Sequence, residues 1–89
     1  MLTQTITVQN KLGLHARPSA LLAKTASLFQ CSIILQHKGQ SVDAKSILGL
    51  MTMAAPFGTE LIITTRGEDE KVALETIIRL FQNRFGEEE

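Results

Sequence analysis

The sequence predicts an α+β fold in which helices cover one face of an antiparallel sheet and leave the other face to water. Three observations carry that prediction. Short segments place apolar residues at every second position, and longer segments place them three and four apart. The segments follow one another in the order β-α-β-β-α-β-α.

In MLTQTITV, Leu2, Ile6 and Val8 take the even positions and Thr3, Thr5 and Thr7 the odd ones, the period of a half-buried strand. Asn10 and Gly13 then break the alternation. Pro18, Leu22, Ala26 and Phe29 recur at four, four and three, which predicts a first helix from Ala16 to Leu28. CSIILQ is short, β-branched and apolar, and HKGQ carries a glycine suited to a tight turn before SVDA, so strands two and three form a hairpin. Ser46, a favoured N-cap because its hydroxyl accepts from first-turn N–H groups, precedes ILGLM and starts a short second helix, with Gly49 inside it. Pro56 and Gly58 mark a connection to the fourth strand, ELIITT. Leu74, Ile78, Phe81 and Phe85 form one stripe with Ala73 and Ile77 beside it. They follow the acidic start Glu68–Glu70, and they predict a third helix from Asp69 to Arg84, with Gly86–Glu89 as a solvated tail.

Residues 1–89 are expected to form one domain, because 89 residues support a single modest core. An apolar content of 44% is too high for a disordered chain. Nine basic and nine acidic side chains cancel, so no strong overall field draws nucleic acid, and the sheet lacks the exposed aromatics that RNA binding wants. The lone Cys31 allows no intrachain disulfide and no cysteine metal cluster, and a buried thiol is expected. His37 reads as a solvated hairpin residue, and two distant histidines without a carboxylate pattern argue against a metal site; no cofactor is implied. No basic-then-apolar leader opens the chain, and no apolar run approaches the roughly 20 residues that span a bilayer, so a cytoplasmic protein with no membrane contact is expected.

GLHARPSA places His15 and Arg17 at the start of the first helix, directly before Pro18. The first turn of a helix exposes unpaired N–H groups and a partial positive charge, so it suits an anion. Pro18 is comfortable there because it has no N–H to leave unsatisfied. The positive helix end and the nearby guanidinium favour a neutral imidazole with a free lone pair, the state of a nucleophile. If the attacked group is phosphoryl, Arg17 and the N–H groups of Ala16 and Arg17 can meet its negative charge. An isolated H-x-R-P fits equally a capping or packing histidine beside a surface arginine.

Together, NKLGLHARPSA and, about thirty residues on, AKSILGLM resemble the HPr family, the histidine phosphocarrier proteins of the bacterial phosphotransferase system. The resemblance implies an open-faced β-sandwich: a four-stranded antiparallel sheet in the order 1-4-2-3, with three helices on one face. It implies that His15 accepts a phosphoryl group on Nδ1 from enzyme I, which draws it from phosphoenolpyruvate, and passes it to an enzyme IIA domain. Arg17 would contact the phosphoryl group, and the protein would be a carrier, not an enzyme. NKLG before the histidine and IIRLFQNRFGEEE at the end look like the NPr branch, the carriers of the nitrogen-related phosphotransferase system. Leu12 and Gly49 stand where sugar-type relatives often carry a small polar residue and a lysine.

The serine matching Ser46 is phosphorylated by an HPr kinase/phosphorylase in some relatives, which would add nearly two negative charges beside the docking face. Ile47, Leu48 and Met51 would by default pack in the core. The resemblance instead puts apolar residues of this helix in a partner-binding patch, so Ile47 and Leu48 are expected to be partly exposed. Lys24 and Lys45 could ring that patch and steer acidic partners, although surface lysines are commonly only solvated. A monomer is expected. The competing readings are a sugar-type HPr, a regulatory module acting through phosphorylated Ser46, and a small domain with an unrelated ligand on its open sheet face.

Overall fold

The computed structural model describes residues 1–87. Strand β1 spans Leu2–Thr7, helix α1 Ala16–Ala26, strand β2 Ser32–His37 and strand β3 Gln40–Asp43. Helix α2 spans Ile47–Met53, strand β4 Glu60–Arg66 and helix α3 Glu70–Gln82, before a short 3-10 turn at Arg84–Gly86. The sheet is antiparallel throughout in the order β1-β4-β2-β3, as the family resemblance implied.

Alternation sorts the sheet into two faces. Ile6, Ile33, Leu35, Leu61 and Ile63 are buried against the helices, while Thr3, Thr5, Gln36 and Ile62 face outward. From the helices, Leu22, Ala26, Ala73, Ile77 and Phe81 complete the core. The α1 helix packs beside α2 and α3, and α3 lies over β1 and β4. No helix among the described residues is long and apolar enough to cross a membrane.

Several boundaries differ from the sequence-based expectation for local reasons. The α1 helix stops at Ala26, not Leu28: Ser27 N–H still bonds four residues back to Ala23 O at 3.0 Å, but the Leu28 and Phe29 N–H groups bond only three back, to Thr25 O and Ala26 O at 3.1 and 3.2 Å, which tightens the last turn and ends the helix. Leu28 then turns out into solvent. The α2 helix runs on to Met53 and ends where Ala54 takes a left-handed conformation (φ 48°). The α3 helix ends at Gln82, not Arg84, and the left-handed Arg84 and Phe85 fold the chain back. Phe85 is thereby buried edge-on against Phe81, ring centroids 4.8 Å apart. The expected stripe partner is in place, but a break in the helix puts it there.

The acidic start of α3 does more than favour a helix dipole. Asp69 makes no side-chain cap; its carboxylate accepts from the backbone N–H groups of Gln30 and Cys31 at 2.8 and 2.9 Å, joining α3 to the entry of β2. These bonds, that from Gln30 foremost, hold its carboxyl below the ordinary carboxylate range. Glu70 pairs with the Met1 ammonium at 2.9 Å and accepts from Gly67 N–H. Cys31 is buried as expected, and burial, helped by Asp69, pushes its thiol up to about 11.

Candidate functional site

The segment that carries His15 is clamped on both sides. Gly13 adopts φ +70°, a left-handed conformation, and its Cα faces the Ala55–Pro56 backbone so closely that a Cβ would lie 2.4 Å from the Ala55 carbonyl oxygen. Leu14 follows with its side chain buried, its N–H donating to Ala55 O at 2.8 Å and its carbonyl accepting from the Ser19 hydroxyl at 3.1 Å. On the helix side, Pro18 and Ser19 are buried.

His15 itself is the N-cap residue of α1, with extended backbone (φ −78°, ψ −168°), and its carbonyl accepts from Ser19 N–H at 3.0 Å. Its side chain makes no capping bond to the first-turn N–H groups of its own helix. The ring is about one-third exposed, and its Nε2 lies 3.0 Å from Glu87 Oε2. Nδ1 has no partner among the described residues.

The N–H groups of Ala16 and Arg17 are also unpartnered among the described residues, and the Arg17 side chain is exposed with no ion pair. The site is thus a partly exposed imidazole with one free nitrogen, at a helix start whose two leading N–H groups and guanidinium are open to an anion. This is the constellation expected from the sequence, with one addition.

The addition is Glu87. It belongs to the segment expected to be a solvated tail, and the structure corrects that expectation: Gly86 completes the 3-10 turn and Glu87 is held at the site. The rest of that tail lies outside the described residues. Asn10, also unforeseen, is fully buried; its Nδ2 donates to Gly13 O at 2.6 Å and to Glu87 Oε1 at 2.9 Å. Nothing local in the sequence marks Glu87, because its contacts lie 72 and 77 positions away. An asparagine among the turn residues before Gly13 was the only available signal for Asn10.

The remaining candidates fall around α2. Ser46 caps that helix as expected, its hydroxyl accepting from Gly49 N–H at 3.0 Å. Ile47 and Leu48 are exposed, at 47% and 76%, and Met51 is 45% exposed, so the default of core packing fails for all three; Leu50 alone of this helix is buried. Lys24 is exposed in the last turn of α1. Lys45 is engaged elsewhere: its ammonium donates to the Phe29 carbonyl at 2.8 Å. Phe29 lies past the far end of α1, an 11-residue helix about 16 Å long, so Lys45 is tied away from the imidazole. Among the described residues, no cluster of three or more histidine, cysteine or carboxylate side chains could hold a metal.

The family model of the PTS HPr component phosphorylation site matches residues 2–83. The chain belongs to the HPr family. Its relatives include the phosphocarrier protein HPr of Xylella fastidiosa (strain Temecula1), 49% identical over 88 residues that cover 99% of either chain. The HPr of Cupriavidus necator is 45% identical over 89 residues, all of both chains. The crystal structure of HPr-C-His from Thermoanaerobacter tengcongensis matches with a TM-score of 0.96 at 39% identity, covering both chains completely. As an HPr protein, the chain is a phosphocarrier of the phosphotransferase system, a carrier and not an enzyme. The shared sheet order and one-sided helical layer extend to that HPr structure.

Proposed function

We propose that His15 is the phosphoryl acceptor, taking the group on Nδ1 from enzyme I and passing it to an enzyme IIA domain. The observation that carries this reading is an Nδ1 without a partner among the described residues, on a partly exposed imidazole, beside Ala16 and Arg17 N–H groups and an Arg17 guanidinium that likewise have none among them. The Nδ1 lone pair forms the new bond to phosphorus while the donor's bond to phosphorus breaks and the donor keeps that pair. The phosphoryl oxygens then meet the guanidinium and the helix start. The second transfer reverses these roles.

Incubation with phosphoenolpyruvate and the cognate enzyme I should give an acid-labile phosphoryl adduct that His15→Ala abolishes. An unmodified native protein, or equal labelling of His15→Ala, would overturn the proposal. The carrier works as a cytoplasmic monomer and needs no cofactor.

The acceptor belongs to the nitrogen-related system. Leu12, 72% exposed just ahead of the histidine, and Gly49 in α2 are the residues that support this, since sugar-type carriers often differ at both. Transfer from phosphorylated protein to a nitrogen-type enzyme IIA should outpace transfer to a sugar-type one. Equal or reversed rates would assign the chain to sugar uptake.

Ile47, Leu48 and Met51, beside the helix that begins at His15, form the apolar part of the partner surface, with Lys24 as a peripheral cation and Lys45 contributing only through its place near Ser46. A second reading concerns Ser46, which sits next to the exposed Ile47 and Leu48. Its phosphorylation by an HPr kinase/phosphorylase would put a dianion beside that apolar surface and oppose docking. A phosphate adduct on Ser46 in protein from the native cell supports this regulation, and its absence under all growth conditions refutes it.

A further inference from the structure

Both carboxylate oxygens of Glu87 are in use. Oε1 accepts from Asn10 Nδ2, and Oε2 faces His15 Nε2 at 3.0 Å. The orientation of the Asn10 amide is forced, because its two neighbours on that side, Gly13 O and Glu87 Oε1, are both acceptors and need the nitrogen between them. Glu87 is therefore aimed by a fully buried asparagine, and its own side chain is only 13% exposed. A carboxylate only accepts, so Oε2 requires a hydrogen on His15 Nε2. A neutral imidazole has one ring hydrogen, and with it on Nε2 the lone pair lies on Nδ1.

We propose that Glu87 is a positioning residue that fixes His15 in its Nε2–H tautomer, making Nδ1 the nucleophile, and that it holds this proton in place through phosphoryl transfer. The proposal rests on His15 being the phosphoryl acceptor. As the Nδ1–phosphorus bond forms and the donor departs with its electron pair, the ring keeps its Nε2–H and becomes a cation facing the Glu87 carboxylate. When the group moves on, the Nδ1–phosphorus bond breaks, the pair returns to Nδ1, and the ring is neutral again. No proton has to enter or leave His15 in either direction, and the charge that appears on the ring meets a carboxylate already in place.

Glu87→Gln provides the test, because it keeps the shape and removes one acceptor. If the single amide oxygen takes the Asn10 hydrogen, the amide NH2 points at Nε2 and demands a lone pair there, which moves the ring hydrogen to Nδ1. Two measurements are made on wild type, E87A and E87Q: the 15N shifts of the His15 ring, which report the tautomer, and the single-turnover rate of phosphorylation by phosphorylated enzyme I. Thermal unfolding verifies that each variant folds. The expected result is an Nε2–H tautomer in wild type, a rise of Nδ1–H in E87Q, and transfer slowed about tenfold in E87A, or about 1.4 kcal/mol. E87Q should be slower still. Unchanged ring shifts in both variants, or wild-type transfer rates despite an altered tautomer, would overturn the proposal. If wild type is not phosphorylated on His15, the carrier reading falls instead, and the ring shifts still decide whether Glu87 sets the tautomer.

Discussion

Gly13 shows how one residue type sets the position of the imidazole two residues later. At φ +70° an L side chain costs about 1–2 kcal/mol in backbone conformation alone. A Cβ here would also press on the Ala55 carbonyl and Pro56, and both are backbone atoms of a segment that Leu14 needs as its hydrogen-bond partner. Gly13→Ala should therefore lower stability by about 2 kcal/mol or more and slow phosphorylation as well, since relief of the clash moves Leu14 and with it His15. Thermal melts and single-turnover labelling measure the two effects. Arg17→Ala is expected to separate them: the side chain is exposed and has no ion pair among the described residues, so melting should change by less than about 0.5 kcal/mol. Transfer should slow by about tenfold or more, as loss of one charge-assisted contact to a phosphoryl group implies. Wild-type transfer in that variant would remove Arg17 from the mechanism.

At the scale of elements, alternation announced β1, helical stripes α1 and α3, β-branched apolar runs β2 and β4, a turn glycine β3 and an N-cap serine α2, all of them signals carried by neighbours in sequence. Helix ends were harder to place. The stop of α1 turns on a tightening to three-residue bonds at Leu28 and Phe29, and that of α3 on left-handed residues that swing Phe85 onto Phe81; both compete with a propensity that would carry the helix further. Asp69 is the clearest case of a residue read by its neighbourhood in sequence and used for something distant. It reads as part of a helix-start acid cluster, yet its carboxylate holds the N–H groups of Gln30 and Cys31. Because these bonds lower its folded-state pKa, its contribution is complete above the ordinary carboxylate value of about 3.9 and disappears as pH falls through the lower folded value. Asp69→Asn should accordingly be less stable than wild type at neutral pH, and the gap should close below about pH 4. A constant gap across pH 2–7 in denaturant titrations, about five units, would show that the charge is not what matters.

At the scale of the molecule, the site draws on segments remote in sequence: Asn10 and His15 ahead of α1, Ala55 after α2, and Glu87 after α3. The half of the site that lies within GLHARPSA was legible, since its helix start, anion cradle and histidine are neighbours along the chain. The half that comes from Glu87 was not, because a run of glutamates has the composition of a solvated tail whether or not one of them is captured. Phe85 is what brings that carboxylate home, being buried two residues before it. Phe85→Ala should cost about 3 kcal/mol and also release Glu87 from His15, so melting temperature and the His15 ring shifts should change together. The pairing of β1 with β4, Leu2 against Thr65, adds a consequence in time. A ribosome-bound chain that has emerged only as far as α2 already displays the histidine, but neither β4 for β1 to pair with nor Glu87 is yet in place. Pairing across so long a stretch is a slow kind of folding event, so the surroundings of the histidine are complete only after β4 and Glu87 have joined the fold.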